Sequence, residues 1–209
     1  MTTLSEALLN SDNQKGISVS GADGEHPFIT SDTVFDDRPI PLIGKRIGTS
    51  TGTADYDWDE LGVVFSANGG ISDNNDVIAT ETQMPHGAKL NGKIYPHIHW
   101  WQTSSSAYVF TLQYRVQDNG SAKTTSWTNM TATAGTDDVY TYTSGTLNQI
   151  TRFKDGSGNY YIDLDGVGIS ATIQFRMTRT DALAGTATVT FFDFHYEIDT
   201  LGSRDEIVK

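Results

Sequence analysis

The stretch Tyr108-Val-Phe-Thr-Leu-Gln-Tyr-Arg-Val-Gln117 decides the fold class. Tyr108, Phe110, Leu112, Tyr114 and Val116 alternate with Val109, Thr111, Gln113, Arg115 and Gln117. A period of two gives one buried face and one mostly wet face, the pattern of a strand whose sheet is solvated on one side. Asp118-Asn-Gly120 follows directly and is turn chemistry. Further along, Ile169, Ala171, Ile173, Phe175 and Met177 alternate with Ser170, Thr172, Gln174, Arg176 and Thr178. In the stretch Thr188–Ile198, Thr190, Phe192, Phe194, Tyr196 and Ile198 share one face, and Val189, Phe191, Asp193, His195 and Glu197 share the other.

Shorter strands are predicted at Leu61–Phe65, Val77–Met84 and Tyr160–Leu164, with Gly- and Asn-rich turns between them. Threonine-rich residues 121–148, with Trp127, Tyr140 and Tyr142, add further strands. No segment after residue 10 keeps a helical period, and turns recur at sandwich-like intervals. Residues 38–199 therefore read as one all-β domain, a jelly-roll-like antiparallel β-sandwich. Residues 1–37 read as an N-terminal arm with a short helix, in which Thr3 and Glu6 form a capping box and Leu4, Ala7 and Leu8 an apolar stripe. Such a helix is marginal alone, so the arm is expected to order on a partner. Residues 200–209 read as a polar C-terminal tail.

The chain has 209 residues and a net charge of −12. That charge disfavours a direct nucleic-acid partner, because phosphate contacts need a basic surface. No apolar run approaches the roughly 20 residues of a membrane helix, and the N-terminus lacks the basic start and apolar core of a signal peptide. Without cysteine there is neither a disulfide framework nor a cysteine-bound zinc.

Chemistry concentrates in Tyr95-Pro-His-Ile-His-Trp-Trp101. As a strand, it places Tyr95, His97, His99 and Trp101 on one face. If the strand carrying Asp193, His195 and Glu197 lies beside it with those faces together, three imidazoles and two carboxylates converge, a donor set for zinc, manganese or iron(II). The metal reading takes His97, His99 and His195 as ligands. A His-x-His strand in a jelly roll is similar to the cupins, but the glutamate that pattern needs is replaced by Trp100, Trp101, Gln102 and Thr103. The adopted reading is that these histidines pack and hydrogen-bond in an aromatic wall, with no metal, no cofactor and no catalytic residue. Asp55, Asp57 and Asp59 imitate half a calcium loop, but Glu60 and Ser66 occupy its glycine and glutamate positions. No phosphate-binding glycine loop or nucleophile elbow is present. The pairs Asp36/Asp37 and Asp163/Asp165 read as solvated turn residues, and Trp58, Trp100, Trp101 and Trp127 as core before sugar platforms.

Gln83-Met-Pro-His86, Lys89, Gly92 and Tyr-Pro-His97-Ile-His99-Trp100 resemble a segment of uncharacterised structural proteins of tailed bacteriophages and prophages. So do Leu112-Gln-Tyr114 and the ending Phe192-Asp-Phe-His195-Tyr-Glu-Ile-Asp-Thr-Leu-Gly-Ser-Arg204-Asp-Glu-Ile-Val-Lys209. The resemblance covers about residues 38–209 and implies a non-enzymatic virion component, assembled in the host cytoplasm. The expected role is capsid decoration, cement or head fibre, through oligomeric packing and arm exchange. The expected partners are copies of itself, as a homo-oligomer for which a trimer is the natural form, and the major capsid protein or tail and portal proteins. Leu4, Leu8, Phe28 and Phe35 in the arm and Arg204 and Lys209 in the tail are the expected interface residues. The alternatives are a tail-associated module binding a host receptor or surface glycan, and a cupin-like metal-dependent enzyme.

Overall fold

The computed structural model describes residues 18–19, 28–29, 34–42, 45–46, 55–57, 62–65, 77–102, 106–139, 148–168 and 170–198. In these residues the fold is all-β, with two antiparallel sheets stacked as a sandwich. The strands are β1 (Ser18–Val19), β2 (Phe28–Ile29), β3 (Val34–Ile40), β4 (Lys45–Arg46), β5 (Asp55–Asp57), β6 (Gly62–Phe65) and β7 (Ile78–Gln83). They continue with β8 (Lys93–Gln102), β9 (Val109–Gln117), β10 (Thr128–Thr133), β11 (Gln149–Arg152), β12 (Ile162–Asp163), β13 (Thr172–Arg179) and β14 (Ala187–Ile198). One sheet has the order β10-β9-β13-β7-β4. The other has the order β11-β8-β14-β6-β5, with β12 also on β8 and β3 also on β14. Among the described residues β1 and β2 pair only with each other.

The inner faces carry the aromatics that the alternation points inward. Phe175 of one sheet meets Phe192 of the other edge to face at 5.1 Å, and Trp100 meets Phe110 at 5.1 Å. Such pairs add about 0.5–1.5 kcal/mol to the area they bury. Trp100 is fully buried, and its indole N–H donates to Thr151 Oγ1 at 2.7 Å, whose hydroxyl donates to Asp138 Oδ1 at 2.5 Å. The polar end of the largest core side chain is thereby satisfied.

Two backbone features position the chemistry. Pro96 lies inside the long strand β8, where it gives no ladder hydrogen bond. Its carbonyl accepts from Phe153 N at 3.1 Å, so its nitrogen faces the same side, where β12 has ended at Ile94 and β11 has not begun. The missing donor therefore falls at a break between partners. The second feature is a β-bulge in β14 between Val189 and Phe191. Val189 pairs with Trp100 and Phe191 with His99, so Thr190 is the extra residue, and its hydroxyl donates to the His99 carbonyl at 3.1 Å. The bulge corrects the face assignment made from alternation alone. Val189 is fully buried on the inner side, and only from Phe191 onward do the odd-numbered residues point outward. Gly62 of β6 makes the close approach to this strand possible, since a Cβ there would lie 2.7 Å from the Val189 carbonyl oxygen.

The boundary drawn at residue 37 falls inside β3, where Phe35, Asp36 and Asp37 pair with Glu197, Tyr196 and His195. Phe35 is exposed, with its ring 5.4 Å from that of Tyr95. The helix predicted near residues 1–10, and Leu4, Leu8, Arg204 and Lys209, lie outside the described residues, as does the side chain of Phe28.

Candidate metal centre

β8 and β14 are neighbours, in the register His97 to Asp193, His99 to Phe191 and Tyr95 to His195. Cross-strand partners share a face, so these six side chains stand together on the outer side of the sheet. β3 adds Asp37 opposite His195, and β11 adds Arg152 opposite His97. The bulge is what turns Asp193 toward His97. Re-aiming of this kind is a recurrent use of bulges beside functional sites.

Asp193 lies between the two imidazoles of β8. Its Oδ1 is 2.8 Å from His97 Nε2, and its Oδ2 is 3.7 Å from His99 Nε2. One donor atom from each of the three residues fits within 4.8 Å of the others. A cation about 2.1 Å from each donor holds neighbouring donors about 3.0–3.5 Å apart, so modest side-chain rotation closes the set. His97 is 6% exposed and Asp193 half-buried.

The hydrogen bond on the far side of His97 fixes its chemistry. Nδ1 lies 3.2 Å from the Tyr95 carbonyl oxygen, which can only accept, so Nδ1 carries the proton. In the neutral ring Nε2 is then a lone pair, 2.8 Å from a carboxylate oxygen. Two acceptors do not sit that close without a cation between them, either a proton on Nε2 or a metal ion. No in-line hydrogen bond reaches Asp193 Oδ1, although it is buried. The Nδ1-to-carbonyl bond is also the second-shell contact that orients a metal-ligating histidine.

Electrostatics separates the two imidazoles. Burial pulls His97 down, but the Asp193 carboxylate more than offsets it and leaves His97 above the ordinary histidine value of 6.5. For His99, burial dominates the attraction of Asp193, the charge of His97 adds to it, and the ring is held below that value. In metal-free protein the His97 contribution to stability is fully present below its unfolded pKa. It is lost as pH rises through the raised folded value. A metal reverses this trend, because binding displaces the Nε2 proton and strengthens as pH rises. We therefore expect the melting temperatures of zinc-loaded and chelator-treated protein to diverge progressively above pH 6.5. Parallel pH profiles from calorimetry would contradict the cluster as a metal site.

Of the three histidines named in the metal reading, the structure brings His97 and His99 into one donor set and supplies Asp193 as the third member. His195 shares the face, and its ring is 4.6 Å from that of His97. Its Nε2, however, lies 2.8 Å from Asp37 Oδ1, and the residue is exposed. Glu197 turns instead to Lys89, at 3.1 Å. Asp37, expected as a solvated turn residue, is a neighbour of the cluster through the β3–β14 pairing.

The expectation of a chain without catalytic groups is corrected by this geometry. Two imidazoles and a carboxylate positioned to hold one metal ion leave coordination positions open, which is the construction of a catalytic rather than a closed structural site. The cupin comparison is corrected too, since the third member of the donor set comes from β14 and the cluster lies on the outer face of the sheet. Asp36 accepts the Tyr196 hydroxyl at 2.8 Å, and Asp163 holds the Asp165 backbone N–H at 3.1 Å, so neither acidic pair flanks a cleft as a pair. Comparison with protein-family models, curated proteins and solved structures finds no match to this chain.

Proposed function

We propose that this chain is a metal-dependent protein that holds a divalent transition metal with His97, His99 and Asp193. The observation that carries this reading is the 2.8 Å approach of His97 Nε2 to Asp193 Oδ1 while Nδ1 is committed to the Tyr95 carbonyl. A two-histidine, one-carboxylate set suits zinc, manganese or iron(II) and leaves room for water or a substrate oxygen. A metal there would lower the pKa of its water and polarise a carbonyl or phosphoryl oxygen. The chain's own part is to set the ligand atoms, through the Tyr95 carbonyl and the β14 bulge. The test is elemental analysis of the purified full chain after dialysis against zinc, manganese or iron(II). About one equivalent of one of these metals per chain is expected, and substoichiometric content of all three sinks the proposal.

The finer architecture we infer is a jelly roll. Counting β6, β7, β8, β9, β10, β11, β13 and β14 as strands one to eight, the sheets read six-three-eight-one and five-four-seven-two. That interleaving of early and late strands is what two nested Greek keys produce.

A second reading concerns the setting. The resemblance of the β8 and β14 segments to tailed-phage structural proteins supports a virion component, present in many copies on the head or tail. Exposed Phe35 and Phe191 on the face of the cluster give that assembly apolar surface to cover. Mass spectrometry of purified phage particles carrying this gene decides it, since absence from the particle ends the reading.

A further inference from the structure

The outer face of the five-stranded sheet carries a second cluster, independent of the metal centre. Register sets Arg115 opposite Gln174 and Gln113 opposite Arg176, while their neighbours Ile173, Phe175 and Met177 point into the core. Half-buried Trp127, just before β10, lies across both guanidinium groups, with Arg176 at 4.0 Å and Arg115 at 4.5 Å from its ring centroid.

Among the described residues the partners of these two cations are all neutral. Arg115 donates from Nε to Gln174 Oε1 at 2.6 Å and from Nη1 to the Thr124 carbonyl at 3.2 Å. Arg176 donates from Nη2 to Gln113 Oε1 at 2.5 Å, and its Nε is buried without an acceptor. Among the described residues Glu81, on the adjacent strand β7, is reached only by the Gln174 amide, at 3.0 Å. Among the described residues neither arginine has a carboxylate within ion-pair distance, although the chain carries a net charge of −12. Burial and the charge of Arg115 together hold Arg176 below the ordinary arginine value. Among the described residues two like charges share one aromatic ring with no counter-charge, and a guanidinium is a planar fork of donors that its present partners do not exhaust.

We propose that Arg115, Arg176 and Trp127 form an oxyanion-binding site that takes a carboxylate or phosphate group from outside the chain. Arg115 Nη2 and Arg176 Nη1 make no hydrogen bond among the described residues, and together they supply donors to two oxygens of either group. The partly exposed indole adds a flat apolar surface beside the anion, which suits an acidic sugar better than a free inorganic ion.

The test is nitrogen-edited NMR of the full chain, following the Trp127 indole N–H and the arginine Nε–H signals. Inorganic phosphate and glucuronate are titrated separately against sodium chloride at matched ionic strength, with Trp127→Phe assigning the indole. Saturable shifts at Trp127 and Arg176 are expected with one or both anions and not with chloride. The stronger anion identifies the group as phosphate or carboxylate. Arg176→Gln should weaken binding by at least about tenfold, the scale of one lost charge-assisted hydrogen bond. Arg152→Gln, on the other sheet, should leave it unchanged. Shifts no larger than those in chloride overturn the proposal and need no variant. Binding unaltered in a folded Arg176→Gln protein overturns it equally.

Discussion

Asp193→Asn is expected to lower the affinity for zinc by at least about 100-fold, because loss of an outer-shell partner alone costs 10–100-fold and Asp193 is a direct ligand in the proposed site. The substitution keeps the shape and removes the charge that both imidazoles face at 2.8 and 3.7 Å. His97→Ala should fall at least as far, since it removes the most buried donor. His195→Gln should change the affinity no more than about threefold, because its Nε2 is engaged by Asp37 outside the donor set. Competition against a zinc chelator measures all three. A His195 variant that loses zinc while Asp193→Asn retains it would reassign the third ligand. Metal-free Asp193→Asn carries a second signature. The stability it loses is the His97–Asp193 attraction, so its deficit against wild type should be largest at pH 5 and shrink toward pH 8.

The sheet faces were legible wherever alternation ran unbroken. Phe110 and Leu112 in β9, Ile173 to Met177 in β13 and Phe192 to Tyr196 in β14 all point as their period says. The error at Val189 has a local cause, because a bulge adds one residue without a composition signal that distinguishes Thr190 from any strand threonine. The candidate site was half legible. His97 and His99 are fixed on one face by a spacing of two, whatever the strand's neighbours are. The third ligand depends on β14 lying beside β8 in a register that only the folded sheet supplies, and the bulge sits inside that register. Without it Asp193, His195 and Glu197 are three residues of one face, and the metal reading takes His195. Asp37 was hidden for a different reason, because the Ser-, Asp- and Gly-rich run from Asn10 to Asp37 carries only isolated apolar residues and reads as an arm. Pro39 lies within β3, which pairs with β14 on one side, and a proline is tolerated on a strand with a free side.

Arg179→Met should destabilise the fold by about 3–5 kcal/mol, the usual result of removing one partner of a buried ion pair. Arg179 ends β13 with no exposed surface, and the Asp181 side chain is 8% exposed. The guanidinium meets the Asp181 carboxylate through Nε at 3.0 Å and Nη2 at 2.7 Å. Nη1 donates to the Gly185 carbonyl at 2.6 Å, and Nη2 also donates to the Leu183 carbonyl. Its central carbon stands 3.5 Å above the Tyr108 ring, whose hydroxyl donates to the Ala184 carbonyl at 2.8 Å. Asp181 in turn accepts from Val109 N at 2.7 Å and Leu183 N at 3.0 Å. The turn at 181–185 and the start of β9 are thus wound on one cation, and methionine fills the space without replacing any of its donors. The loss corresponds to a fall of about 6–20 °C in melting temperature for a chain of this size. Arg179→Lys restores the charge but not the fork, and should recover only part of the loss. The double variant Arg179→Met, Asp181→Asn should be more stable than Arg179→Met alone, because it no longer buries an uncompensated carboxylate. Burial pushes the Asp181 carboxyl up, but its bonds from Arg179, Val109 and Leu183 outweigh that and hold it below the usual range. Its contribution is therefore present at neutral pH and lost as pH falls through the depressed value, a slope that the double variant should flatten. Urea denaturation of the four proteins at pH 7 and pH 4 measures each of these differences. A loss under 1 kcal/mol in Arg179→Met, or a double variant no more stable than the single, would show that the turn is held by its backbone bonds and not by the buried charge.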